Sequence, residues 1–255
     1  MITFSQAQLM AWLTPLLWPF LRVLAVFTAA PLFSSRGFPV RARIGLALLV
    51  TVAAQATLPP IPVIDLNGPQ ALGVAIQQVG IGLSIGFVVR LMFATFELAG
   101  EVVGFQMGLN FASFFDPSMN TQASAVARLF GYMATLLFVV LNGHVLVLMA
   151  VTRSFEVFPV TQDFAEAMRL AKFYSLGGEL FANALWIALP MLALMLFTNL
   201  GLGIISRVAP QMNIFAIGFP ITLSVGLVGL TVMLPMLDHP FQVLLERAVE
   251  MFSKR

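Results

Sequence analysis

No cysteine occurs among the 255 residues, which removes disulfides, thiolate catalysis, Cys-ligated zinc and iron–sulfur clusters in one step. Histidine is nearly as scarce. His144 and His239 stand alone, neither in an HxxxH nor an HExxH pattern, so imidazole ligation of a metal has no pair to build on. No cofactor and no metal site are expected. Charge is the third shortage: 9% of residues are charged, against roughly a quarter in soluble domains. Hydrophobic residues make up 60% and the mean hydropathy is +0.97. A chain so poor in solvating groups cannot coat a water-facing surface. A soluble enzyme is excluded and a membrane protein indicated. Phosphate loops, nucleophile elbows and kinase signatures are absent as well, and no catalytic residue is assigned. The thirteen basic residues give a formal net charge of +2, but they are spread along the chain and make no basic face for nucleic acid. Their one tight group, Arg36, Arg41 and Arg43, reads as a topology signal beside an apolar run.

What is present is a series of long uncharged runs, each to be tested against the ~20 residues that cross ~30 Å of hydrocarbon. About six qualify, so an all-α, polytopic membrane protein is expected. The first runs from about Gln6 to Thr28 with Arg22 near one end. It lacks the basic start of a cleavable leader and is too long for its apolar core. A second, Ile44 to about Leu58, is stopped by Pro59, Pro60 and Pro62. A third opens at Pro69 and meets no breaker before Gly108, which as one helix is ~60 Å at ~1.5 Å per residue. Such a helix either projects out of the lipid or bends. Leu129 to Thr152 is the cleanest span. Leu180 to Ser206 carries Pro190 and is expected to kink, and Val208 to Leu237 holds Pro210, Pro220 and Pro235. The one long hydrophilic stretch, residues 153–179, carries Asp163 and Glu166 at capping-box spacing before a short amphipathic helix ending at Gly177 and Gly178. Over residues 240–255, Phe241, Leu244, Leu245, Ala248 and Phe252 repeat at helical spacing, an amphipathic helix for a membrane surface or a partner. No internal repeat or low-complexity tract is found.

The stretch ELAGEVVGFQMGLNFASFFDPSMN, residues 97–120, is unlike an ordinary span. Gly100, Gly104 and Gly108 recur every fourth residue and make a smooth face on which another helix can pack closely. Glu97 and Glu101 flank that face, with Arg90 about two turns earlier. Ionisable groups at membrane depth are functional candidates, and these three either form a buried polar network or, outside the bilayer, a solvated face. Beyond Gly108, phenylalanines alternate with small and polar residues up to an Asp-Pro turn. Such a loop either packs under its neighbours or forms an apolar constriction that excludes water. Two classes of function stay open on these residues. A conduit component would use the aromatic loop. A proton-coupled secondary transporter would use Arg90, Glu97, Glu101 and His144, with Pro190 and Pro220 as broken-helix sites.

The same stretch, with ARLFGYMATLLFVVLNGHVLVLMAVTRSF, PMLALMLFTNLGLGIISRVAPQMNIFAIGFPITLSVGL and RVLAVFTAAPLFSSRGFPVRARIGLAL, resembles the FliR family of flagellar biosynthesis proteins over nearly the full chain and in the family's order. The resemblance rests on polar landmarks as well as apolar runs, and FliR-like proteins also have counterparts in virulence injectisomes. It implies a non-enzymatic subunit of the type III protein export gate in the bacterial inner membrane, at the flagellar basal body. Partners implied are FliP-type and FliQ-type subunits, an FlhB-type switch protein and the unfolded flagellar proteins that pass through. Long kinked helical hairpins are implied too, together with a pore-closing loop at about residues 104–120. Met107, Asn110, Phe111, Phe114 and Phe115 are then its plug residues, Phe111 and Phe114 holding the aromatic positions.

Overall fold

The computed structural model describes residues 6–35, 37–66, 68–109, 124–160, 173–211 and 214–252, all helix, turn or loop, with no strand among them. Helix α1 (Gln6–Ala29) passes through Pro15 and Pro19, which an apolar span tolerates where neighbouring groups satisfy the freed carbonyls. A single turn, α2 (Pro31–Ser34), follows. Helix α3 (Val40–Ala54) starts behind Pro39 at φ −62°, ψ 140°, an extended residue that cannot itself join a helix ladder. The prolines at 59, 60 and 62 lie in the expected loop. Helix α4 (Pro69–Gln106) is unbroken over 38 residues, about 57 Å at ~1.5 Å per residue. Helices α5 (Ala125–Val140) and α6 (Gly143–Val157) follow. Helix α7 (Phe173–Val208) runs through Pro190, and α8 (Ile214–Met233) passes into a 3-10 turn at Pro235 and then α9 (Asp238–Glu250).

Among the described residues, four helical runs are long and apolar enough to cross a membrane, or five if α5 and α6 count as one broken span. Two departures from the expected six have physical causes. The second segment, expected at Ile44 to about Leu58, is a helix shifted to Val40–Ala54, and its 15 residues fall short of a bilayer's thickness. The run from Leu129 to Thr152 is not one helix, because Asn142 takes φ 54°. A left-handed residue cannot continue a right-handed ladder, and asparagine reaches that conformation at low cost. The polar stretch expected at 153–179 is also shorter, since α6 continues to Val157 and Gly177 and Gly178 lie inside α7. Asp163 and Glu166 lie outside the described residues.

The chain divides into two compact units. The first comprises Met1–Leu91, Asn142–Leu176 and Leu245–Arg255. In it α1 packs on α3, Phe27 stacks on Phe33 at 4.3 Å, and α4 meets α1 through two glycines. A Cβ on Gly82 would fall on the carbonyl oxygen of Arg22, and one on Gly86 would lie 2.5 Å from the Ala29 Cβ. This is the backbone approach that small residues at four-residue spacing permit.

The second unit comprises Met92–Leu141 and Gly177–Leu244. Its centre is an aromatic cluster: Phe93 against Phe138 at 5.5 Å, and Phe241 against Phe96 at 5.4 Å and Phe93 at 6.4 Å. The amphipathic C-terminal helix therefore buries Phe241 against α4 of its own chain. The sequence pattern assigns α9 an apolar face but not what covers it. Helices α7 and α8 meet where Gly229 receives Met191 and Leu194.

Candidate functional site at the base of the 104–120 segment

Residues 104–109 and 124–160 are described, while Asn110, Phe111, Phe114 and Phe115 lie outside the described residues. Both described ends belong to the second unit. On the entering side α4 stops at Gly108, whose φ of +79° lies in the left-handed region that glycine reaches without strain. The Gly108 N–H donates to the Phe105 carbonyl at 3.1 Å, closing the last turn. Met107 is fully buried. Its Cγ and Cε lie 2.6 Å from where a Cβ on Gly226 would be, so the glycine of α8 is the hole that the methionine fills. The Thr222 hydroxyl reaches the Met107 carbonyl at 3.4 Å, and the Phe219 ring lies 3.5 Å from a Cβ placed on Gly108.

On the returning side Ser124 caps α5. Its Oγ accepts from the Ala127 N–H at 3.1 Å, satisfying one of the donors a helix start leaves open. The Ser124 N–H in turn donates to Glu101 Oε1 at 2.8 Å. The glycine face of α4 makes this approach feasible. A Cβ on Gly100 would lie 2.7 Å from the Ala127 Cα, and one on Gly104 would lie 3.0 Å from Ser124 Oγ. Gly100 and Gly104 thus face α5, whereas Gly108 ends the helix.

Among the described residues, the other charges singled out in the sequence do not form one cluster. Arg90 and Glu97 are exposed, and the Glu97 side chain lies along Gly131 of α5. Glu101 is half-buried with its carboxylate on the Ser124 N–H, so the three are not one buried network. His144 is half-buried. Arg41 is exposed and Arg43 donates to the Phe33 carbonyl at 3.0 Å; Arg36 lies outside the described residues. No group of three His, Cys, Asp or Glu side chains among the described residues can hold a metal.

The buried charge that the sequence pattern hides is in the first unit. Arg22 is the one fully buried charged residue among those described. Its Nε donates to Gln78 Oε1 at 2.8 Å, Nη1 to Ser154 Oγ at 2.9 Å and Nη2 to the Phe158 carbonyl at 2.8 Å. Its guanidinium carbon lies 3.7 Å from the Phe155 ring centre, a cation–π contact. Gln78 passes its amide to Gln77, and Gln77 donates to the Pro159 carbonyl at 3.2 Å. Neutral dipoles and a ring hold this cation, and it ties α1, α4 and the end of α6 together. The available signal was the set of polar residues, Arg22, Gln77 and Gln78, inside otherwise apolar runs.

Residues 13–248 match the family described as bacterial export proteins, family 1. Among curated relatives, flagellar biosynthetic protein FliR of Escherichia coli K12 is 35% identical, covering 100% of this chain and 98% of the relative. FliR of Pectobacterium carotovorum is 39% identical over 94% and 92%, and FliR of Bacillus subtilis is 30% identical over 84% and 83%. With its polytopic helical fold and matches spanning nearly its whole length, the chain belongs to the FliR family of bacterial export proteins.

Proposed function

We propose that the chain is a membrane subunit of the flagellar type III protein export gate. It assembles in the inner membrane, at the basal body, with FliP-type and FliQ-type subunits, and its 104–120 segment closes their shared conduit. Unfolded flagellar proteins are the cargo, an FlhB-type switch protein is a further partner, and the subunit is a passage rather than an enzyme. The flagellar names of the relatives favour this setting over a virulence injectisome.

The observation that carries the reading is the anchoring of the segment. Its entering end is pinned by Met107 in the Gly226 hole, and its returning end by Ser124 on Glu101. An element that blocks a conduit must resist displacement, and two fixed ends keep a loop where its helices put it. Aromatic side chains in such a loop exclude water from a constriction. Arg90 and Glu97 are exposed, so the pathway that the transporter reading draws through them is not a buried one at these two residues.

The test is electrical. The purified complex of this chain with its FliP-type and FliQ-type partners is placed in planar bilayers. Deleting residues 110–120, or changing Phe111→Ala together with Phe114→Ala, is expected to raise resting ion conductance. Unchanged conductance in a fully assembled complex overturns the closing role.

A further inference from the structure

A capping box normally lies within one helix: the N-cap hydroxyl takes the N–H three residues on, and a Glu or Gln at that third position reaches back to the N-cap N–H. At the start of α5 the first half is present, Ser124 Oγ taking the Ala127 N–H, but the third position is Ala127 and has nothing to reach back with. Larger side chains are disfavoured there, since the Ala127 backbone is packed onto Gly100. The missing carboxylate comes instead from Glu101 of α4, at 2.8 Å from the Ser124 nitrogen. The box is complete, but split across two helices. Glu101 also places negative charge at the positive end of α5.

We infer that Glu101 is the positioning residue for the returning end of the 104–120 segment, the latch that fixes where the chain re-enters the bundle. The inference rests on reading that segment as the closing element, but the latch has its own readout. The entering end is held by different groups, Met107, Thr222 and Gly226. Loss of Glu101 therefore frees one end and not the other. Gly104 belongs to the same device, because its missing side chain leaves room for the Ser124 hydroxyl.

The absence of cysteine allows single spin labels in the assembled complex, at Gln122→Cys for the returning end and Asn110→Cys for the entering end. Glu101→Ala is expected to raise label mobility at 122 and not at 110. It should raise resting conductance about tenfold, the factor expected for loss of one charge-assisted bond. Glu101→Gln keeps an acceptor oxygen but not the charge, and is expected to fall between the parent and Glu101→Ala. Ser124→Pro is the second variant. It fits the observed φ of −57° while deleting the donor N–H, and should loosen position 122 more than Ser124→Ala, which keeps it. Equal mobility at 122 in parent, Glu101→Ala and Ser124→Pro overturns the latch. Loosening at 122 with no rise in conductance keeps the latch and removes the closing role instead.

Discussion

Met107 and Gly226 are a knob and its hole: the methionine is fully buried, and its Cγ and Cε stand 2.6 Å from where a side chain on the glycine would begin. The contact joins the end of α4 to the middle of α8, and the Met107 carbonyl adds the Thr222 hydroxyl to the same junction. Close-packed interiors register changes of a single methyl group, so the pair should behave as one unit.

Gly226→Ala is expected to destabilise the assembled complex by about 1–3 kcal/mol through overpacking. Met107→Ala should cost about 2–5 kcal/mol through the cavity it leaves. The double variant should cost less than the sum, because the new methyl enters vacated space. Thermal unfolding of the four complexes, read as a double-mutant cycle, measures the coupling. Strict additivity would separate the two residues.

Two glycines of α4 make a second comparison. Gly82 lies against the Arg22 carbonyl, whereas Gly73 has nothing within 4 Å of a built Cβ. Gly82→Ala is expected to lower stability by about 2 kcal/mol, in the range of core overpacking. Gly73→Ala should be neutral or raise stability by up to about 1 kcal/mol, since alanine favours the helix. Melting temperatures of the purified complexes decide it, and equal effects would remove close α1–α4 packing as the cause.

Gly108→Ala places a side chain at φ +79° and should cost about 1–2 kcal/mol, with Gly108→Asn costing less. Label mobility at position 110 should rise and that at 122 should not. This is the mirror image of the Glu101 result and tests whether the two ends are held independently.

Arg22→Lys keeps the charge but loses the planar fork that serves Gln78, Ser154 and the Phe158 carbonyl at once. Stability is expected to fall by about 1–3 kcal/mol, because buried acceptors are left without donors. Arg22→Ala should fall by more. If lysine matches arginine in a thermal melt of the complex, the geometry of the fork is not what matters.

Local pattern made most of the helices legible. Pro69 marked the start of α4, Pro39 stands before α3, and the spacing of Phe241, Leu245 and Ala248 gave the buried side of α9. Asn142 and Gly143 are also a written turn signal, obscured by the charge-free run around them. Gly82 and Gly86 carry the same four-residue spacing as Gly100 and Gly104 and were hidden by the same apolar uniformity. Arg22 was out of reach for another reason. Its partners stand 56, 132 and 136 residues away, beyond any local periodicity. Ser124 and Glu101 are 23 residues apart, and the alanine where a capping glutamate belongs was the sole hint of their pairing.

The distance along the chain from Arg22 to its acceptors also sets a schedule for biogenesis. At synthesis rates of roughly 5–20 residues per second, Ser154 and Phe158 leave the ribosome on the order of ten seconds after Arg22. Until then the guanidinium has no dry resting place, and a lone arginine in hydrocarbon costs at least ~2.5–3.5 kcal/mol. Helix α1 is therefore expected to settle late, once the helix that carries Ser154 is there to receive its arginine.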